Sequence, residues 1–281
     1  MRAGRLAVAA ITIDFGNTLV RVDSPGLRGV VEQTSEELER RGIVRDRPAF
    51  LAAWAEERER QFREEVPQFR EVDIPQRAVR VIARLRGMRP PETERWDDTA
   101  AAGHVAPGEV EQVVDAYSGA FISRMSPVAD AADTLRQLAS RGFALAILSN
   151  WPLALTVDRF AEAQGWLPYL RSIVVSQRVG TIKPHPSIFR AAETALGMNG
   201  SADGSAEGGR ILHVGDDWAA DVVGASRAGW RTAYLRNRQL DTPLPTSAPG
   251  DDSATGSTIV PDLVIDELAE LDARVEPLAA G

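Results

Sequence analysis

The sequence predicts an α/β fold: a doubly wound parallel sheet with a helical domain inserted after its first strand. Three observations carry this. Residues 6–13, 143–148 and 211–214 are short apolar runs that stop abruptly at polar or small residues, the pattern of strands buried on both faces beneath covering helices. Helix-like segments alternate with them along the chain. From about residue 22 to residue 126 no such run occurs.

Residues 6–13 read as one buried opening strand. The two arginines and short apolar stretch at the start have some likeness to a signal peptide, but no small-x-small cleavage site follows. The protein is therefore expected to be cytoplasmic. Amphipathic helices rich in Arg, Glu and Ala are expected at about 27–41, 48–63, 76–86 and 109–123, punctuated by Pro67, Pro75, Pro90, Pro91 and Pro107. Their arginines are expected on mostly solvated faces, with one or two free to meet an anionic substrate. Trp54, Phe62 and Phe69 are expected mainly to pack the helical core, contact with substrate being the alternative. The division that follows is a sheet domain, 1–21 with 127–281, and a helical cap, 22–126. Helices at about 134–141, 187–196 and 219–228 then alternate with strands at 143–148, 173–175, 211–214, 232–235 and 263–265. Gly, Ser, Pro and Asp are concentrated at 200–209 and 243–257, which read as surface loops.

Composition narrows the chemistry. The 281 residues include no cysteine and three histidines, which excludes disulfides, thiolate catalysis and cysteine-built metal sites, so any metal is a hard, oxygen-ligated one. A formal charge of −8 speaks against binding nucleic acid by phosphate neutralisation. No apolar run approaches the roughly 18 residues of a membrane span. His213 sits within an apolar strand and reads as a buried, hydrogen-bonded residue; His104 and His185 read as loop positions.

Ligands of open parallel sheets bind beyond the carboxyl ends of the strands. Asp14, Ser149 and Asp216 each stand at such an end, and their identities suit phosphate chemistry: a carboxylate nucleophile, a hydroxyl donor and a metal-binding acid. The segments Ile13-Asp14-Phe15-Gly16-Asn17-Thr18-Leu19, Leu148-Ser149-Asn150, Lys183-Pro184-His185-Pro186 and Val214-Gly215-Asp216-Asp217, the last followed by Asp221, Gly224, Ala225, Ala228 and Gly229, occur in this order. Together they resemble the four motifs of the haloacid dehalogenase (HAD)-like hydrolase superfamily. The resemblance spans essentially the whole chain and puts the helical block where that superfamily carries a C1-type cap.

The resemblance implies a Rossmann-like core and a Mg²⁺-dependent phosphatase of small phosphorylated metabolites. Asp14 would attack phosphorus, with Mg²⁺ held by Asp14, the Gly16 carbonyl and Asp216. Thr18, Ser149 and the Asn150 backbone N–H would bind phosphoryl oxygens, Lys183 would neutralise developing charge, and Asp217 and Asp221 would orient the metal shell. One departure stands out. Phosphatases of the family typically place an acid two residues after the nucleophile, where this chain has Gly16; a positioned acid–base is worth about 10²–10⁴ in rate. Water or a cap residue would have to act instead, since the Asn17 amide does not titrate. Two alternatives stay open: a 2-haloacid dehalogenase, in which Asp14 attacks carbon, and a catalytically weak protein that binds phosphorylated ligands.

Overall fold

The computed structural model describes residues 5–198, 210–236, 241–245, 247–249 and 259–278. The expected loop 200–209 lies outside these residues, and the loop 243–257 is described only at 243–245 and 247–249.

The opening apolar run is two strands rather than the one expected: β1 (Leu6–Val8) and β2 (Ala10–Ile13). β1 pairs in parallel with the C-terminal segment Val275–Pro277, whereas β2 enters the main sheet. The chain shifts at Ala9, whose N–H donates to Arg210 O at 2.7 Å and whose carbonyl accepts from Ala144 N at 3.2 Å. Both strands bury apolar side chains, so hydropathy does not reveal the break.

After β3 (Val20–Arg21) come five helices: α1 (Ser24–Arg40), α2 (Arg47–Glu65), α3 (Ile74–Leu85), α4 (Asp98–Ala102) and α5 (Glu109–Arg124). The first three begin at an Asp-x-Pro sequence. Asp23, Asp46 and Asp73 accept the N–H groups of Gly26, Ala49 and Gln76 at 2.6, 2.9 and 2.7 Å, and the proline follows in the first turn, where it lacks only a donor that would be unpaired anyway. Such a cap contributes about 1 kcal/mol.

The arginines of α3 correct the expectation of solvated faces. Arg77 and Arg80 are 4% and 3% exposed, because α3 packs against α2, α4 and α5 together. Arg80 Nε bonds Asp98 Oδ1 at 2.8 Å. Arg84 Nη1 bonds the buried Glu57 at 2.9 Å, and Glu57 also accepts from Trp96 Nε1 at 2.9 Å.

The helices close on β4 (Ser126–Pro127), which pairs antiparallel with β3, Val20 opposite Pro127 and Arg21 opposite Ser126. Then follow α6 (Ala131–Ser140), β5 (Ala144–Ser149), α7 (Ala154–Ala163), β6 (Ser172–Val175), α8 (Ser176–Val179), α9 (Pro186–Leu196) and β7 (Ile211–Gly215). A π-helical turn, Trp218–Val223, continues into α10 (Gly224–Arg227). The described chain ends with β8 (Arg231–Leu235), β9 (Leu263–Ile265), α11 (Glu270–Arg274) and β10 (Val275–Pro277).

The main sheet is six-stranded and parallel, in the order β6-β5-β2-β7-β8-β9. Its central strand β2 has β5 on one side and β7 on the other, with Ile13 level with Ile147 and Val214. The residues just beyond these three therefore meet at the switch point of the sheet, where connections diverge to either side.

Candidate active site

β2 runs into Asp14, β5 ends at Ser149 and β7 leads into Asp216. A backbone bond from Asp14 N to Val214 O, 2.9 Å, extends the ladder one step past β2 and fixes where the carboxylate starts. Lys183 comes from the loop after α8 and is 2% exposed. Its Nζ donates to Asp14 Oδ1 at 2.7 Å, to Asp221 Oδ1 at 2.7 Å and to Leu148 O at 2.9 Å, which uses all three ammonium protons.

Two side chains hold this arrangement from behind. Asn150 clamps the Lys183 backbone in both directions, accepting from Lys183 N at 2.7 Å and donating to Lys183 O at 3.0 Å. His213 is buried and hydrogen-bonded as expected: Nε2 meets Asp221 Oδ1 at 2.9 Å and Nδ1 meets Thr12 Oγ1 at 2.8 Å. Asp221 Oδ2 accepts from Asp217 N at 2.9 Å. Gly215 makes this possible, since a Cβ there would fall inside the Asp221 carboxylate.

Charge is poised unevenly. Burial pushes the Asp14 carboxyl above its ordinary range and Lys183 opposes the rise. Burial also works against the charge on Asp221, but Lys183 and His213 outweigh it and hold that carboxyl below the usual range. Lys183 is raised, its two carboxylates overcoming the desolvation of the ammonium. Asp217 is raised by burial and by Asp221; its Oδ1 accepts from Ala220 N at 2.9 Å and from Ser247 Oγ at 2.6 Å.

The donor set suits a hard divalent cation. Carboxylate oxygens of Asp14, Asp216 and Asp221 lie within 4.8 Å of one another, and Lys183 is the ammonium among them. Formally three negative charges face one positive charge, an imbalance of two in a desolvated site. Because both Asp221 oxygens are engaged by Lys183, His213 and Asp217 N, Asp14 and Asp216 are better placed to act as ligands.

These groups line one wall of a cavity of about 800 Å³ that reaches up among the helices. Of the residues singled out from sequence, Asp14, Gly16, Asn150, Lys183, Asp216, Asp217 and Asp221 line it; Thr18 and Ser149 do not. Thr18 is fully buried and donates to Asp216 Oδ1 at 3.3 Å. Ser149 Oγ is buried without a hydrogen-bond partner among the described residues. Trp54, Phe62 and Phe69 all face the cavity, and of these Trp54 also belongs to the packed core. His185 caps α9, its Nδ1 accepting from Ser187 N at 3.3 Å.

Sequence reasoning missed four contributors. Leu244 and Trp151 fill the space beside Gly16, where a Cβ would stand 2.6 Å from Leu244 Cδ1 and 3.2 Å from Trp151 Cζ3. Glu71 and Arg77 add two ionisable groups from the α2–α3 region to the cavity wall. No local feature of the sequence marks any of them, since each reaches the cavity through the packing of elements distant in the chain.

A family model described as haloacid dehalogenase-like hydrolase matches residues 8–229. The chain belongs to that family. This HAD-like hydrolase is 30% identical over 175 residues to the glyceraldehyde 3-phosphate phosphatase of Methanopyrus kandleri, a match covering 62% of this chain and 66% of that protein. It is 30% identical over 133 residues to the ribulose-1,5-bisphosphate 5-phosphatase of Halopiger xanaduensis, covering 47% and 52%. The chain thus spans about half to two thirds of the length of these curated relatives. Among solved structures, a 2-haloacid dehalogenase from Pseudomonas syringae pv. Tomato DC3000 superposes with a TM-score of 0.58 at 17% identity, over 95% of this chain and 99% of that one. That likeness is one of fold.

Proposed function

We propose that the protein is a Mg²⁺-dependent phosphatase of small phosphorylated metabolites, with Asp14 as nucleophile and residues 22–126 as a cap over the site. The observation that carries this is the Asp14–Asp216–Asp221 cluster around a single ammonium at the floor of the cavity. Two relatives named as phosphatases support it.

In this reading Asp14 attacks phosphorus, the bond to the leaving oxygen breaks, and an aspartyl-phosphate forms that water then hydrolyses. A bound Mg²⁺ supplies charge neutralisation between the anionic nucleophile and the anionic ester. Asp14 and Asp216 hold it, with the Gly16 carbonyl as third protein ligand. Lys183 orients Asp14 through Oδ1 and balances charge on the phosphoryl group. Thr18 fixes Asp216, and Ser149, which does not line the cavity, ends β5 behind the phosphoryl site rather than touching it. Asp221 and Asp217 act behind the ligands by holding Lys183 and the 217–221 turn. With no acid at residue 16, the leaving oxygen takes its proton from water, so activated esters are the better substrates.

A dehalogenase needs no acid at residue 16, and Gly16 with its apolar neighbours favours that second reading. The formal surplus of negative charge opposes it, because a 2-haloacid anion would be repelled unless a cation intervened.

The test is phosphate release from 4-nitrophenyl phosphate and a metabolite panel, with Mg²⁺ or with EDTA. Release that needs Mg²⁺ and disappears in Asp14→Asn is expected. No release on any ester, or full activity in Asp14→Asn, would overturn the reading. Halide release from 2-chloropropionate in EDTA would establish the dehalogenase instead.

A further inference from the structure

Arg28, Glu32, Arg58, Glu71 and Arg77 are charged residues of the cavity that the phosphatase reading does not use, and of these Arg77 alone is buried. It is 4% exposed, yet no carboxylate among the described residues lies within ion-pair distance of it. Its Nε donates to Gln61 Oε1 at 3.0 Å, while neither Nη1 nor Nη2 has a hydrogen-bond partner among the described residues. A buried guanidinium without an anion is costly, and it persists where function requires it.

The arginine is also held in one orientation. Gln61 is fully buried and is itself fixed through Nε2, which donates to Asp73 O at 2.9 Å and Gln76 Oε1 at 3.0 Å; its Oε1 is thus aimed at Arg77. The guanidinium stands over the Trp54 ring, 5.3 Å from its centroid, and Trp54 is in turn stacked on Tyr117 at 5.9 Å. Pinned at Nε and supported on an aromatic face, Arg77 leaves its Nη pair free to grip two oxygens of one anion. Glu71, an acid of the same cavity, is occupied elsewhere, by Ser176 Oγ and by Val72 N at 3.0 Å.

We propose that Arg77 is a specificity-determining subsite for a second anionic group of the substrate: the protein acts on phosphomonoesters whose alcohol portion carries a carboxylate or a further phosphate, joined to the ester through apolar carbon. This rests on the phosphatase reading of the Asp14 wall. The phosphoryl group lies at that wall, the apolar body of the substrate runs along Trp54, Phe62 and Tyr117, and the distal anion replaces the missing partner of Arg77. The arrangement also answers the charge of the site, since a distal anion placed at Arg77 is kept away from the aspartate cluster.

The experiment compares isosteres. Specificity constants are measured for 3- and 4-carboxyphenyl phosphate, for the corresponding carbamoylphenyl phosphates, and for phenylene bisphosphates. The amide withdraws electrons at least as strongly as the carboxylate, so leaving-group chemistry does not favour the acid. The expected result is a preference of at least about tenfold for one or both anionic classes, expressed mainly in KM; which class leads tells carboxylate from phosphate. In Arg77→Gln the ratio falls to about 1, and in Arg77→Lys part of it remains. Wild-type constants for both the carboxylates and the bisphosphates that do not exceed those of the amides overturn the subsite, as does a preference that survives in a folded Arg77→Gln. If that variant does not fold, the wild-type ratios decide alone. A parallel calorimetric titration of the wild type with carboxy- and carbamoylbenzylphosphonate separates the two readings. Discrimination between these ligands without turnover of any ester keeps the subsite and removes the phosphatase; turnover without discrimination does the reverse.

Discussion

Leu244 Cδ1 stands 2.6 Å from where a Cβ on residue 16 would lie. The position at which an acid would serve a phosphatase is therefore filled by a side chain from a loop more than two hundred residues away. Gly16 and Leu244 are one structural choice, and reversing it takes both. Gly16→Asp combined with Leu244→Ala is expected to raise kcat/KM on unactivated alkyl phosphates by about 10–100-fold, within the usual span of a positioned acid. The gain on 4-nitrophenyl phosphate, whose leaving group needs no proton, is expected to be small. Equal gains on both esters would show that the residue acts other than as an acid.

Gly215 exists to let Asp221 in. With Gly215→Ala the added methyl overlaps the Asp221 carboxylate, and that carboxylate is anchored by Lys183, His213 and the Asp217 N–H. Overpacking at such a site costs about 1–3 kcal/mol. Urea denaturation is expected to show that loss, together with a drop of at least about 100-fold in ester hydrolysis as Lys183 loses its second carboxylate. Wild-type stability and rate in this variant would contradict the geometry.

Asn150 serves Lys183 through its side chain. In Asn150→Ala two hydrogen bonds to the Lys183 backbone disappear, each worth about 1 kcal/mol, so a loss near 2 kcal/mol is expected in denaturation. Asn150→Asp keeps the acceptor for Lys183 N and loses the donor to Lys183 O, so it should fall between the two. An unchanged denaturation midpoint in Asn150→Ala would sink this assignment.

Glu71 makes stability depend on pH in a definite direction. Burial pushes its carboxyl up to about 7, against the hydrogen bonds from Ser176 and Val72 that favour the anion. Between about 4.5, the ordinary value, and 7 the folded protein retains a proton that the unfolded chain has released. The contribution of this group is thus fully present below the lower value and is lost as pH rises through the upper one. The stability of Glu71→Gln minus that of wild type should therefore grow from pH 5 to pH 8. A difference that stays flat over that range would place the titration elsewhere.

How much of this was written in the sequence depends on the range of the interaction. Asp14, Ser149 and Asp216 were legible because a strand buried on both faces is a continuous apolar run, and its end is visible as a sudden polar residue. Asp217, Asp221 and Lys183 were legible through ordered motifs, though not that Asp221 would have both oxygens engaged. Helix α7 buries Ala154, Val157, Phe160 and Ala161 at helical spacing, but it starts without a side-chain cap, so the usual start signal of a helix is missing there. Arg77 read as solvated because arginines at 77, 80 and 84 form one stripe of a helix, and nothing local says that α2, α4 and α5 cover it. Leu244, in a Pro-rich segment read as surface, meets Gly16 only through closure of the whole fold.

The antiparallel pairing of β3 with β4 brings residues 20–21 beside 126–127. From the side of the sheet, everything between those two short strands is a single loop whose ends are already joined. The entropy of closing a loop grows only with the logarithm of its length, so the sheet is nearly indifferent to how many residues are threaded there. Heredity can therefore lengthen, shorten or recast the helices while Asp14, two steps before the junction of Gly16 with Val20, stays in register with β5 and β7. The ribbon separates what must be kept from what is free to be rewritten.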